Sequence, residues 1–520
     1  MFARLGQPFS FANGGIWRLL TSPVKFRSLR YHRGVSGYYV ENFGCRATQA
    51  DGAAVERQFE DCGLVRALSP AQAAVVVLNT CTVTAAADQD ARAAIRRVQR
   101  QNPEARIVVT GCYAQRAPEE IASLPGVSVV VGNSHKHQLA QIALGKVVGE
   151  GSPSATFFPL AGLARNRDMG TENSIFVSDI FAHTELLAAP VFDAANERTR
   201  PNLKVQDGCD NRCSFCVIPY VRGQSRSLGM ERVIREVNGL VESGYREVVI
   251  SGINLGRWGR DLAGGSLSAF RGSQEPDAQR LTPDATFQQP TLESLIRAIL
   301  VETSLEKLRI SSVEPMDWSD ELISLVAQSR RIAKHAHVPM QSGSDAVLRR
   351  MHRKYRPWHY REKIEKLRAA MPSAAIGADV MVGFPGETDG EFEATRGMIE
   401  ELPFTYLHVF TYSPRPGTPA AEMPHQVPAA AARERNRILR ELAAKKKLSF
   451  MRDFIGETVE AITLHVVGHD ANGEFTEALT DNYLKLRLRG RHEANRWLRG
   501  RIVDVADGAL VGVEAVSMRR

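Results

Sequence analysis

No run of 18 or more apolar residues occurs in this 520-residue chain. A helix needs about 20 such residues to cross a bilayer, so no membrane span is expected. Cysteine is scarce, and seven in a chain this long are too few for a disulfide scaffold. Acidic residues are missing from positions 1–33, where Arg4, Arg18, Lys25, Arg27, Arg30 and Arg33 fall. That composition fits an organellar transit peptide, and equally a poorly ordered extension or an over-called start. Elsewhere the composition is that of a globular protein, 43% hydrophobic and 24% charged, with length for about three domains. The net charge of +8 suits a polyanionic partner, or simply solubility.

What cysteine there is falls in a pattern. Cys209, Cys213 and Cys216 sit in Gly208-Cys209-Asp210-Asn211-Arg212-Cys213-Ser214-Phe215-Cys216, a Cys-x3-Cys-x2-Cys loop. Three thiolates hold three corners of a four-iron cubane and leave the fourth iron open to a ligand. A zinc knuckle or buried free thiols are the alternatives. Zinc sites usually use paired Cys-x2-Cys units, and no second pair or nearby histidine occurs. The loop, with Phe215 before its third cysteine, resembles the radical S-adenosylmethionine superfamily. That resemblance implies an open iron chelating S-adenosylmethionine, reductive cleavage to a 5'-deoxyadenosyl radical, and attack on an unactivated C–H bond. An oxygen-sensitive cluster requires a reducing compartment, so a cytoplasmic location is expected.

The chain alternates strand-like and helical runs on either side of the connector at 151–200. In residues 36–150 the strand candidates are Tyr39–Phe43, Val75–Leu78, Ile107–Val109 and Val127–Val131, with helices around Ala53–Cys62 and Ala87–Gln101. The alternation predicts a small doubly wound α/β domain. Cys45, Cys81 and Cys112 each follow a strand-like run directly, 36 and 31 residues apart. Carboxyl ends of strands in such a sheet line one crevice, so the three converge into a second thiolate site or are three buried free cysteines. Cys62 ends a helix and only packs.

Residues 201–445 supply strand candidates Glu247–Ile250, Lys307–Ile310, Ala336–Val338, Ala378–Val382 and Leu407–Phe410. Each is followed by polar or glycine-rich residues, as in a partial (βα)6 barrel with its site at the carboxyl face. Residues 261–290, rich in Gly, Ser, Gln and Pro, read as an inserted surface loop. The strand ends resemble the S-adenosylmethionine-binding ones of the superfamily. By that resemblance Gly252 and Asn254 flank the methionine end, Glu314 meets the ribose, Gln341 joins the binding set, and Gly383 to Gly386 leave room for adenine.

After a basic helix from Ala429 to Lys447, residues 453–520 read as a small β-barrel. Positions 454–481 hold six acids and no Lys or Arg, whereas 482–520 hold nine bases against four acids. In Leu484-Lys485-Leu486-Arg487-Leu488-Arg489 the period-2 alternation puts Lys485, Arg487 and Arg489 on one face. Such a stripe suits phosphate contact, though charged outer faces of β-barrels are also normal.

Taken together, the order of domains resembles the radical S-adenosylmethionine methylthiotransferases, with a carboxyl-terminal TRAM-type RNA-binding domain, over about Tyr38 to Val516. Asn79-Thr80-Cys81-Thr82-Val83-Thr84, Thr110-Gly111-Cys112-Tyr113-Ala114-Gln115 and Gln206-Asp207-Gly208-Cys209 are similar to the MtaB-like branch. That branch modifies threonylcarbamoyladenosine beside the tRNA anticodon. Arg46 and Thr48 depart from its usual Lys and Asn. The resemblance implies two [4Fe-4S] clusters, the second on Cys45, Cys81 and Cys112 as sulfur donor. It also implies a tRNA anticodon stem-loop as substrate and an electron donor such as flavodoxin or ferredoxin. Two alternatives stay open at this point: a sibling enzyme acting on isopentenyladenosine or a ribosomal-protein aspartate, and a non-enzymatic iron–sulfur RNA-binding sensor.

Overall fold

A computed structural model describes residues 37–145, 174–183, 186, 200–262, 289–471 and 473–515. The basic extension 1–35 lies outside them, as do most of the 151–200 connector and of the 261–290 insertion.

The first unit is an all-parallel six-stranded sheet in the order Val65–Arg66, Gly37–Asn42, Val75–Thr80, Arg106–Gly111, Val127–Val131 and Ser174–Phe176. Its central strands are apolar on both faces because both are covered. Val76, Leu78, Ile107 and Val109 pack with the helix Ala85–Gln101, while Val75, Val77, Val108 and Val129 pack with Val55 and Phe59 of the helix Arg46–Asp61. Both predicted helices are present and begin earlier than expected. The sixth strand comes from the segment read as a connector and pairs in parallel with Val127–Val131.

The second unit has six parallel strands: Asn202–Lys204, Glu247–Ser251, Lys307–Ile310, His335–His337, Ala375–Val382 and Tyr406–Thr411. They form two three-stranded ladders joined by the bridges Leu308 to Ile332 and Ser312 to His337. The predicted partial barrel is therefore present, each strand candidate matching to within a few residues. Leu203, Val248, Ile250, Leu308, Ala336, Ile376, Ala378 and Val380 go into the core beneath the helices. Strand alternation sends Lys204, Glu247, Arg309, His337, Asp379, Tyr406 and His408 to the concave side, giving a polar lumen.

The first unit spans the open seam between the first and last barrel strands. On one side Asn202 Nδ2 donates to the Arg46 carbonyl at 3.1 Å. On the other the Ala85 amide donates to Ser413 Oγ at 3.1 Å, and Arg415 ion-pairs with Asp88. The helix Ala429–Arg452 runs along the last strand, where Asn436 donates to the Val409 carbonyl at 3.1 Å.

The third unit is a closed barrel of Thr458–Asp470, Gly473–Thr480, Lys485–Arg489, Ala509–Glu514 and Trp497–Ala506 in that spatial order. Leu484, Leu486 and Leu488 fill its interior, so Lys485, Arg487 and Arg489 do share the outer face. Two of the three are engaged there, Arg487 with Asp507 at 2.8 Å and Arg489 with Asp470 at 2.7 Å.

Candidate functional site

The loop bearing Cys209, Cys213 and Cys216 leaves the barrel at the end of the first strand, and Gln206 and Asp207 hold its root. Gln206 Nε2 donates to the carbonyls of Asp207 and Gly208 at 2.9 Å, while its Oε1 accepts from the Asn254 amide at 2.7 Å. One side chain thus fixes the cysteine loop against the end of the next strand. Asp207 Oδ1 accepts from the Gly208 amide at 2.8 Å. Gly208 has φ +71°, and a Cβ there would lie 1.8 Å from the Gln224 carbonyl oxygen, so only glycine fits.

The thiols meet donors suited to a thiolate. Cys209 Sγ accepts from the Asn211 amide at 3.4 Å and from Asn254 Nδ2 at 3.6 Å, and Cys213 Sγ accepts from Arg353 at 3.3 Å. Burial, and then the neighbouring Cys213 thiol, push Cys216 up to about 12. An acid that weak stays protonated until a metal displaces its proton.

The residues assigned to S-adenosylmethionine surround this loop in different ways. Asn254 touches the cysteine loop directly. Glu314 ion-pairs with Arg353, the same guanidinium that reaches Cys213. Phe215 packs with Phe384 and Met351, anchoring the loop to the barrel. Gln341 takes a left-handed φ of 62°, an uncommon state for a side chain of its type and one that clusters at functional sites. Gly252 lies against the Gln206 side chain, and the side on which a Cβ would stand at Gly383 faces Ala432 of the long helix, 2.6 Å away. A Cβ at Gly386 would stand 3.7 Å from the Arg350 side chain. The glycine at 383 therefore serves helix packing on that side, not free space.

Cys45, Cys81 and Cys112 do come together at the carboxyl ends of adjacent strands. The Cys81 thiol is pushed up to about 12, by burial first and then by its neighbours Cys112 and Cys45. Gly44 makes the approach possible, because with φ +103° a Cβ there would lie 2.6 Å from Cys81 Cβ and 2.9 Å from its sulfur. Asn133 Nδ2 donates to Cys112 Sγ at 3.7 Å and to the Val221 carbonyl at 2.7 Å, tying the first unit to the barrel beside the site. Cys62 ends its helix and packs at the edge of the core, as expected.

A buried charge network joins the two cysteine sets, and no local sequence pattern announces it. Asp51, 2% exposed, accepts from Lys136 at 3.1 Å, from Arg222 at 2.9 Å and from Lys204. Asp207, which holds the Cys209 loop, accepts from Lys204 at 2.7 Å and from Arg222 at 3.0 Å. Burial alone would push both carboxyls up, but Arg222 and the lysines hold them well below the usual carboxylate range. Lys136 also donates to Asn79, which donates to the Thr48 carbonyl, so the strand ends carrying Cys45 and Cys81 belong to the same network. Thr82, next to Cys81, accepts from Arg116 and Arg415 at 2.8 Å each.

Both cysteine sets are compatible with iron–sulfur clusters. Two thiolates on one zinc sit about 3.8 Å apart, given tetrahedral geometry and 2.3 Å bonds. Among the described residues, the group of three ligand side chains with all donor atoms within 4.8 Å is His337, Asp379 and His408, and neither cysteine set is that tight. Asn254 Oδ1, Ser251 Oγ and Ser311 Oγ are buried without hydrogen-bond partners, lining the strand ends above the lumen. Orphaned polar atoms there fit a polar ligand such as S-adenosylmethionine.

Comparisons with known proteins agree with this arrangement. The family model described as "Uncharacterized protein family UPF0004" matches residues 37–132, and that of the Radical SAM superfamily matches residues 203–399. The chain is 35% identical over 462 residues to the threonylcarbamoyladenosine tRNA methylthiotransferase MtaB of Bacillus subtilis (strain 168), covering 89% of this chain and 91% of that one. It is 33% identical to the MtaB of Aquifex aeolicus (strain VF5), covering 88% and 98%. The tRNA-2-methylthio-N(6)-dimethylallyladenosine synthase of Erythrobacter litoralis (strain HTCC2594) is 32% identical over 82% of this chain and 86% of its own.

Proposed function

The chain belongs to the radical S-adenosylmethionine methylthiotransferases, and on that premise we propose that it converts threonylcarbamoyladenosine beside the anticodon of tRNA to its 2-methylthio derivative. The observation that carries this reading is the pairing of two three-cysteine sets, one at the barrel mouth and one at the strand ends of the first sheet, in a single chain joined by the Asp51–Lys204–Arg222–Asp207 network. A sensor needs no such pair and no row of ligand-seeking polar atoms at the strand ends.

Cys209, Cys213 and Cys216 hold the radical-generating [4Fe-4S] cluster, and Cys45, Cys81 and Cys112 hold the auxiliary one. When bound, these clusters and S-adenosylmethionine supply a deoxyadenosyl radical, a methyl group and a transferable sulfur. Asn254 and Arg353 donate to the first thiolate set and stabilise its negative charge. Phe215 and Gln206 fix the loop so that its cysteines keep their aim as substrate enters. The first unit covers the barrel seam, shielding the lumen from water that would quench reactive species.

The substrate RNA is the anticodon stem-loop, met by Lys485, Arg487 and Arg489 on the outer face of the C-terminal barrel. A low-potential flavodoxin or ferredoxin supplies the electron, and the reducing cytoplasm suits both clusters. The test is nucleoside mass spectrometry of tRNA from a strain lacking this protein. Loss of the 2-methylthio derivative of threonylcarbamoyladenosine is the expected result, whereas loss of the isopentenyladenosine derivative would assign the sibling reaction.

A further inference from the structure

All three units meet at the floor of the barrel lumen, around one side chain. Tyr483 lies in the turn between the strands Gly473–Thr480 and Lys485–Arg489 and holds a left-handed φ of 69°. A bulky residue in that region is strained, and such strain persists where surrounding contacts over-determine it. Here the contacts are cationic. The guanidiniums of Arg46, Arg200 and Arg309 stand 5.9, 5.9 and 5.1 Å from the Tyr483 ring centre. His335 and Tyr406 flank the ring at 4.9 and 6.5 Å.

The charges at this floor do not balance. Among the described residues one carboxylate, the fully buried Glu247, ion-pairs with these guanidiniums, and it reaches only Arg309 and Arg200. Arg309 takes it at 2.7 Å and spends its other nitrogens on the carbonyls of Asp481 and Thr480. Arg200 is left 4.0 Å from Glu247 with its Nε buried and unpartnered among the described residues, where the side chain of Arg46 donates to the Tyr483 hydroxyl at 2.8 Å. Among the described residues neither of these two planar forks is closely paired with a carboxylate, and such a fork matches a carboxylate in shape and charge. Burial pushes Arg200 down, Glu247 opposes this, and the like charges of Arg309 and Arg46 add to it.

Resting on the function proposed above, we infer that Arg46 and Arg200, backed by Tyr483, bind the free carboxylate of the threonylcarbamoyl arm and so select this substrate. The arm ends in a carboxylate, whereas the isopentenyl arm of the sibling substrate ends in hydrocarbon. Arg46 directly follows Cys45, so the residue that grips the N6 arm sits one peptide from a ligand of the sulfur-donating cluster. Tyr483 comes from the C-terminal barrel, so the unit that meets the RNA also supplies one wall of the carboxylate site.

The test uses the reconstituted full chain and anticodon stem-loop RNAs that carry either threonylcarbamoyladenosine or its methyl ester. The wild type should turn over the ester with a kcat/KM about 10- to 100-fold lower, the range for a charge-assisted hydrogen-bonded pair. Arg46→Gln and Arg200→Gln should lose that factor on the acid and little more on the ester, and Arg46→Lys should recover part of it. Equal turnover of acid and ester by the wild type would overturn the carboxylate site and leave the methylthiotransferase reading intact. Equal losses on both RNAs in the two Gln variants would likewise overturn it in favour of a structural role. An isopentenyladenosine RNA is run beside them, and turnover of that RNA alone would overturn the substrate reading and this inference with it.

Discussion

The two cysteine sets solve one problem in opposite ways. Cys209, Cys213 and Cys216 lie within eight consecutive residues on a loop, half-buried, and their spacing alone brings the thiols together. Cys45, Cys81 and Cys112 span 68 residues and meet only because the register of three parallel strands aligns their carboxyl ends. Cys81 and Cys112 are 5% and 2% exposed, whereas Cys45 is open. A local loop makes a site that depends on a few root contacts, Gln206 and Gly208 above all. A strand-end site depends on the whole sheet and on the network that docks it against the barrel.

Removing one ligand from each set gives the sharpest contrast. Cys213→Ala should abolish deoxyadenosine formation and all methylthiolation, while Cys81→Ala should stop methylthiolation yet spare deoxyadenosine. Chromatography of both products after anaerobic incubation reads this directly, and methylthio product from Cys81→Ala would break the division of roles.

The next largest effect is on the link between the sets. Asp51→Asn leaves Lys136, Lys204 and Arg222 with Asp207 as the remaining carboxylate of the network, and losing one partner of a buried pair costs about 3–5 kcal/mol. Thermal unfolding should show the loss. Because Asp51 and Asp207 sit below the usual carboxylate range when folded, their contribution is present above about pH 4 and lost as acid protonates them. The wild type should therefore lose stability below pH 4 more steeply than Asp51→Asn.

Gly44→Ala tests the strand-end site alone. The new methyl would meet the Cys81 sulfur and force a left-handed alanine, a strain of about 1–2 kcal/mol before any clash. Iron and sulfide analysis should show one cluster retained and the auxiliary one depleted. The smallest effect is at the proposed RNA face. Since Arg487 and Arg489 are ion-paired, Lys485→Ala should weaken tRNA binding only a few-fold and lower the slope of log affinity against log salt by about 0.7–0.9, one phosphate contact.

What was legible in the sequence follows the same division. The Cys-x3-Cys-x2-Cys loop, the strands Val127–Val131 and Lys307–Ile310, and the alternating Lys485–Arg489 stripe declare themselves through short-range spacing, and the structure has them where expected. Convergence of Cys45, Cys81 and Cys112 was legible too, because strand-end placement is a rule of open α/β sheets. The three-residue strand Ser174–Phe176 was not, since so short a run gives no periodicity. Nor were the Asp51–Lys204 pair and the Arg46–Tyr483 contact, whose partners lie 153 and 437 residues apart. Such contacts are set by how units dock, and no local pattern encodes them. Gly383 adds a role its motif did not announce, since on the side where a Cβ would stand its missing side chain admits the long helix.

The most direct test of the whole account is anaerobic reconstitution of both clusters, followed by incubation with reductant, S-adenosylmethionine and tRNA bearing threonylcarbamoyladenosine. Mass spectrometry of the nucleosides should show the 2-methylthio derivative appearing together with deoxyadenosine. Deoxyadenosine with threonylcarbamoyladenosine left unchanged would contradict the substrate, and neither product would contradict the enzyme.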